Sequence, residues 1–418
     1  MKKMLQNSTS VDQSKEPEGL IPQAHIVIIC CALGDAGSVA NVALHQAYEL
    51  SKRFRVTLVS DKLPAPELPG VDGLHVNPLS FGFLHRFAHV PNEIAFARAV
   101  RSAVSRLNSQ RSVDVVICHS HSVATISARS LQREFGISYA LVTHGEISDM
   151  PKGTYDPRQT WFYRRMAPPA YRDADLVIAL SPYMASLAIR GGANPVRVSL
   201  IPNGIDPTDI GLDDIGLTSP KVATNRLELL YVGRLSMEKG VDVLIDAAAL
   251  LRERGVKFRL RIAGTGVEAP RLRLQAAGLQ IEDMIEFIGP VPRKQLGALY
   301  RSADVVCVPS RGDPLPTVVL EAMASGVAVV GSDTGGIPFM INHGITGLVC
   351  LVADPVAFAN ALEQFSTEVE LACHMGEAGR QRAIREFNWQ RVGELLADAV
   401  MGVWIKPIGQ EKRDACSG

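Results

Sequence analysis

Short β-branched runs alternate with helix-period segments along this chain, and the alternation halts once, over residues 206–225, before it resumes. That rhythm constrains the fold more than any other feature. Neighbouring parallel strands need a long crossover, and a helix is the crossover that also covers the sheet's apolar face. Residues 25–31, 56–60, 113–118, 139–143, 176–180 and 198–201 read as buried strands, with helical stretches such as 39–53 and 94–108 between them. Residues 206–225 are rich in Asp, Gly, Thr and Pro and read as a linker. A second set of strands follows at 227–232, 258–263, 285–288, 305–309 and 328–331. The expected class is α/β, with two doubly wound parallel sheets. The 418 residues suit two domains of roughly 150–200 residues each. Residues 389–404 form a last helix with Val392, Leu395, Leu396, Ala399, Val400 and Val403 at helical spacing. That stripe needs a partner surface in one domain or the other.

Composition removes several function classes. Lys plus Arg and Asp plus Glu both number 43, so the formal charge is zero and a long electrostatic track for nucleic acid is not expected. The seven cysteines include an adjacent Cys30–Cys31 pair and no Cys-x-x-Cys, which argues against a disulfide framework or a zinc site. A reducing cytoplasm is the simplest reading. Residues 1–22 are polar and read as a disordered tail rather than a signal peptide, and the apolar run at 26–33 is too short to span a bilayer. Arg158, Arg164, Arg165 and Arg172 cluster locally. A solvated helix face is the simpler account of them, and a patch for an acidic substrate or for peripheral contact with an anionic membrane face is the other. His119 and His121 form a His-x-His without a nearby Cys or acid cluster, so no metal is expected there.

Open α/β sheets bind ligands beyond the carboxyl ends of their strands. If the two sheets present those ends to one another, the site is the crevice between them. After the strand at 227–232 comes Gly-Arg-Leu-Ser-Met-Glu-Lys-Gly, which offers Arg234 and Lys239. Two such cations suit a diphosphate, Arg through a forked contact and Lys as a point charge. After the strand at 258–263, Gly264 and Gly266 match a weak Gly-x-Gly-x-x-Ala pattern, read as backbone approaching a nucleotide without NAD. After the strand at 305–309, Asp313 and Glu321 stand eight residues apart in an apolar run. Thr317 is the expected N-cap of the intervening helix, whose first amides, near Val318, could meet a phosphate. Carboxylates accept hydrogen bonds from sugar hydroxyls, so one acid suits a ribose and the other a transferred sugar.

These segments together resemble a known family. Gly-Arg-Leu with a following Lys-Gly, the acid pair before Ala-Met-Ala-Ser-Gly, Ile-Pro-Asn-Gly-Ile-Asp at 201–206 and Thr-Gly-Gly-Ile-Pro at 334–338 are similar to motifs of the retaining nucleotide-sugar glycosyltransferases of family 4, which have the GT-B fold. The resemblance covers about residues 25–404 and is strongest in the second half. It implies two Rossmann-like domains facing across a cleft, with a C-terminal helix crossing back to the first. In those terms the chain divides into a disordered tail at 1–22, an acceptor-side domain at 23–205, a linker at 206–226, a donor-side domain at 227–386, a crossover helix at 387–404 and a tail at 405–418. The resemblance implies catalytic roles for Arg234, Lys239, Asp313 and His144. It implies substrate contacts from Glu321 to the ribose, from Thr317 and Val318 to the diphosphate, and from Gly37 and Ser38 after the first strand. Asp313 stands where the family usually has Glu, and Phe339 stands where it often has Glu after Gly-Gly-Ile-Pro.

The implied reaction moves a sugar from a nucleoside diphosphate sugar to an acceptor hydroxyl, with retention and without a metal or other cofactor. No well-placed protein nucleophile is evident, so a front-face route suits these residues. The acceptor is unknown, with lipid-linked intermediates and polysaccharides among the candidates, and no nucleic acid partner is expected. A nucleotide-sugar epimerase of related architecture and a non-catalytic nucleotide-sugar-binding subunit are the competing readings.

Overall fold

A computed structural model describes residues 24–31, 38–63, 67–77, 89–119, 124–145, 157–212, 226–368 and 370–404. The chain forms two compact units, one running to Ile201 and taking up again at Trp389, the other running from Pro202 to Asn388.

The first unit is built on seven parallel strands: β1 (His25–Ile29), β2 (Arg55–Ser60), β3 (Val71–His75), β4 (Val115–His119), β5 (Ser138–Thr143), β6 (Leu176–Ala179) and β7 (Val198–Leu200). Their order is β3-β2-β1-β4-β5-β6-β7. All five residues of β1 and all five of β4 are buried, as expected where helices cover both faces of a sheet. The register sets Ile29 beside Cys118 and His119 beside Val142, so the ends of β4 and β5 lie together. The sequence did not reveal β3. It is an edge strand, Val-Asp-Gly-Leu-His, with none of its five residues buried and so no apolar run to read.

The Trp389–Trp404 helix belongs to this first unit and lies on the Ser38–Ser51 helix. Buried His45 stacks on Trp389 with ring centroids 4.6 Å apart and an interplanar angle of 6°. Arg53 pairs with Asp398 at 2.8 Å. Val392, Leu396, Val400 and Val403 of the expected stripe are buried, whereas Leu395 is exposed and Ala399 half-buried, and Gly393 and Ala397 complete the buried face instead.

The second unit holds six parallel strands: β8 (Leu227–Val232), β9 (Phe258–Ala263), β10 (Ile285–Gly289), β11 (Val305–Val308), β12 (Ala328–Ser332) and β13 (Gly347–Cys350). Their order is β10-β9-β8-β11-β12-β13. Strand β13 also escaped the sequence reading, being only four residues long and opened by a glycine. Residues Pro207–Ile210, inside the stretch read as linker, form a short 3₁₀ turn at the start of this unit. The chain enters and leaves the second unit side by side, with the Ile205 amide donating to the Phe387 carbonyl at 2.7 Å.

In each sheet the strand order reverses once, between β1 and β4 in the first and between β8 and β11 in the second. Such switch points are where loops diverge and leave a crevice.

Candidate active site

At the second unit's switch point the loop after β8 locks against the loop after β11. Buried Tyr231 donates its hydroxyl to the Arg234 carbonyl at 2.7 Å, which pins the start of the first loop. The 3₁₀ turn Met237–Lys239 follows and ends on Gly240, whose φ of 66° lies in the left-handed region. A Cβ there would sit 2.0 Å from the Pro309 carbonyl oxygen, so only glycine permits this approach. Arg311 acts as a strut: its guanidinium forks onto Asp242 at 2.8 and 2.7 Å and also donates to the Met237 carbonyl at 2.8 Å. Burial alone would raise the Asp242 carboxyl, but the Arg311 fork holds it below the usual carboxylate range.

On this frame Lys239 forms an ion pair with Asp313. Asp313 is buried, and its side chain faces the cation across the two loops. Arg234 is different, with its side chain 73% exposed and its guanidinium 3.4 Å from Glu238. Glu238 accepts from the Ser236 hydroxyl at 2.6 Å. Burial opposes its charge, but Ser236, Arg234 and Lys239 together keep its carboxyl below the ordinary value.

The helix Thr317–Ala324 begins at the end of the Asp313 loop. Thr317 was expected to be its N-cap. Pro316 holds that position instead, Thr317 is the first helical residue, and no side chain caps the helix. Proline suits the boundary because its φ is fixed and it has no N–H to satisfy. Glu321, one turn in, is buried and charge-paired. It accepts from Tyr300 Oη at 2.7 Å and from Arg293 at 3.1 Å. Burial, reinforced by the Glu321 charge, raises the Tyr300 phenol well above its ordinary value, so it stays a donor. Gly335 and Gly336 close the other side of the loop: the Gly336 amide donates to the Asp313 carbonyl at 2.8 Å, and a Cβ on Gly335 would lie 1.9 Å from that same oxygen.

Gly264 and Gly266 allow close backbone approach, and here the backbone they meet is the loop after β8. A Cβ on Gly264 would lie 1.8 Å from the Gly233 carbonyl oxygen, and one on Gly266 2.1 Å from that of Leu235. The Phe339 ring meets Phe387 edge-on at 6.0 Å, and its carbonyl accepts from Arg382 at 2.9 Å.

The fold therefore gathers Arg234, Lys239, Asp313, Thr317, Val318 and Glu321 at one switch point. Sequence reasoning missed Arg293, Tyr300, Glu238 and Arg311. Arg293 and Tyr300 precede Glu321 by 28 and 21 residues, so no local pattern joins them to it. The sequence signal for Arg311 was its place in the loop after β11, two residues before Asp313.

His144 lies in the first unit, just beyond β5. Its Nε2 is 2.9 Å from Nδ1 of His119, the last residue of β4, and the rings stack at 5.1 Å. Ser38 opens the first unit's Ser38–Ser51 helix, and Gly37 and His121 lie outside the described residues. Among the described residues no group of His, Cys, Asp and Glu is arranged to hold a metal ion, and no helix is long and apolar enough to cross a membrane.

Residues 218–382 match the family model described as glycosyl transferases group 1, and residues 37–204 match the glycosyl transferase 4-like domain. A D-inositol 3-phosphate glycosyltransferase of Actinosynnema mirum is 30% identical over 392 residues, covering 88% of this chain and 92% of that protein. Sucrose-phosphate synthase from Thermosynechococcus elongatus superposes with a TM-score of 0.74 at 20% identity, over 91% of this chain and 99% of that one. Anabaena HepE in complex with UDP-glucose gives a TM-score of 0.67 at 18% identity, over 90% of this chain and 99% of its own. At these identities the structural likenesses speak for the fold, which is GT-B.

Proposed function

Because the chain belongs to the glycosyl transferases group 1 and is a glycosyltransferase, we propose that it is a retaining, metal-independent enzyme of family 4 that moves a sugar from a nucleoside diphosphate sugar to an acceptor hydroxyl. The observation that carries this reading is the set of charged groups at the β8–β11 switch point. Two cations, Arg234 and Lys239, stand beside an uncapped helix start and two carboxylates engaged by separate partners.

The leaving group is a nucleoside diphosphate, and its charge grows as the glycosidic bond breaks. Cations already held in place stabilise that charge without reorganising during the reaction. Lys239 is held by Asp313 and by the turn that Arg311 braces. Arg234 is exposed and can swing onto a phosphate, leaving Glu238. The first amides of the Thr317–Ala324 helix and the Thr317 hydroxyl add donors. Glu321 takes the ribose: each carboxylate oxygen has two lone pairs, so a ribose hydroxyl can join Arg293 and Tyr300. Asp313 serves the transferred sugar with the oxygen turned away from Lys239. His144 contributes a hydrogen bond near the reaction centre. The leaving phosphate accepts the proton of the acceptor hydroxyl, which attacks from the same face, so configuration is kept.

HepE binds UDP-glucose and the Actinosynnema enzyme is named for an inositol phosphate, so these are the first donor and acceptor to try. The test incubates the protein with UDP-, GDP- or ADP-sugars, with and without acceptor, and follows the anomeric configuration of the product by NMR. Retained transfer that persists in a chelator supports the proposal. Inversion, an absolute metal requirement, or acceptor-free rearrangement of the donor would overturn it.

A further inference from the structure

We propose that His119 is a positioning residue, donating its Nδ1–H to Nε2 of His144 and thereby fixing His144 as a hydrogen-bond donor through its own Nδ1–H. This rests on the reading that His144 serves the transfer.

The 2.9 Å contact between the two ring nitrogens requires one proton between them. His119 is buried, and burial, helped by His144, lowers its pKa well below the imidazole value, so it is neutral at neutral pH. Two arrangements are then open. If His144 Nε2–H donates, His119 carries its own proton on Nε2, which is buried with no partner among the described residues. If His119 Nδ1–H donates, that same Nε2 is a bare lone pair. A buried N–H left without an acceptor is rare in folded proteins, so the second arrangement, which leaves none, is favoured. It occupies the Nε2 lone pair of His144 and leaves a neutral His144 with its proton on Nδ1. In that state His144 can donate to a hydroxyl or phosphate oxygen but cannot take the acceptor's proton, consistent with the leaving phosphate acting as base.

Strand geometry supports the assignment. His119 ends β4, registers with Val142 of β5, and so stands on the neighbouring strand just where His144 leaves β5. No loop has to order itself for the two rings to meet.

The test labels the protein with ¹⁵N-histidine and reads tautomers by long-range proton–nitrogen correlation, assigning His144 by its loss in H144A. The wild type should show His144 as the Nδ1–H tautomer. H119N, whose amide can donate from nearly the same place, should keep that tautomer and most of the turnover. H119F, which fills the space without a donor, should shift His144 toward Nε2–H and lower kcat by about 10-fold or more, the scale of losing an outer partner of a functional histidine. KM for the donor should change less than kcat. An Nε2–H tautomer in the wild type, or the same tautomer in H119F as in the wild type, overturns the inference. If H144A itself transfers at the wild-type rate, the role given to His144 fails instead, and the NMR distinguishes the two failures.

Discussion

The two switch points share an architecture and differ in chemistry. Between β8 and β11 two ion pairs join the segments, Arg311 to Asp242 and Lys239 to Asp313, and a third, Arg234 to Glu238, lies within the loop after β8. Between β1 and β4 the described groups include Cys30, Cys118 and His119, all buried, beside the exposed Cys31 thiol. Burial pushes the Cys30 thiol up to about 12, so it is uncharged at neutral pH. One sheet end is thus lined by charged pairs, and the other by buried side chains without charge. Under the proposed transfer, a departing diphosphate would meet the first kind of surface and an arriving hydroxyl the second. The same fold supplies both because the strands fix only the loop bases, while loop residues decide the charge.

This contrast can be broken by experiment. The largest effect is expected from the cations: Lys239→Ala or Arg234→Ala should lower kcat by about 10²-fold or more, the scale of removing one charge-stabilising donor. A smaller loss for both in steady-state assays would mean that the charged switch point does not carry the transition state. The next effect is on stability. His25 and His119, both in the first unit, have pKa values lowered below 6.5, chiefly by burial. The unfolded chain therefore binds more protons as pH falls, and the first unit loses stability below about pH 6.5, by at most about 1.4 kcal/mol per pH unit for each histidine. Glu238 and Asp242 have lowered carboxyl pKa values, so their contribution is complete above the ordinary values of 4.5 and 3.8 and is lost only below them. Hydrogen exchange between pH 7 and 5 should show β1 and β4 opening before β8 and β11. The reverse order would contradict the contrast.

Two finer changes sharpen it. Glu321→Gln should weaken binding of the free nucleoside diphosphate by about 10-fold by calorimetry, the value of one charge-assisted hydrogen bond. Equal binding would remove Glu321 from the ribose. Asp313→Glu should alter the ranking of donor sugars while leaving nucleoside diphosphate affinity nearly unchanged, and a flat donor profile would place Asp313 in service to Lys239 alone.

Much of this architecture could be read from the chain because parallel strands are written as apolar runs, and β1, β4, β8 and β11 were legible for that reason. Strand β3 was not, because an edge position asks for no apolar residue. The acid pair was legible as a pair, but its division of labour was not. Asp313 answers to Lys239, 74 residues earlier, and Glu321 to Tyr300 and Arg293 on a different segment. Such partners are chosen by strand order, which local patterns do not encode. The Thr317 expectation failed for a local reason, since a proline directly before the helix took the cap. The His119–His144 contact likewise needed the β4–β5 register before it could be seen.

The placement of the Trp389–Trp404 helix has a consequence for synthesis. Its stacking on His45 and its pair with Arg53 complete the first unit with the last described helix. A ribosome must therefore make the whole second unit before the first can close its surface. Until then the Ser38–Ser51 helix stays uncovered on that side, and the nascent chain has to be kept from sticking to its neighbours during translation.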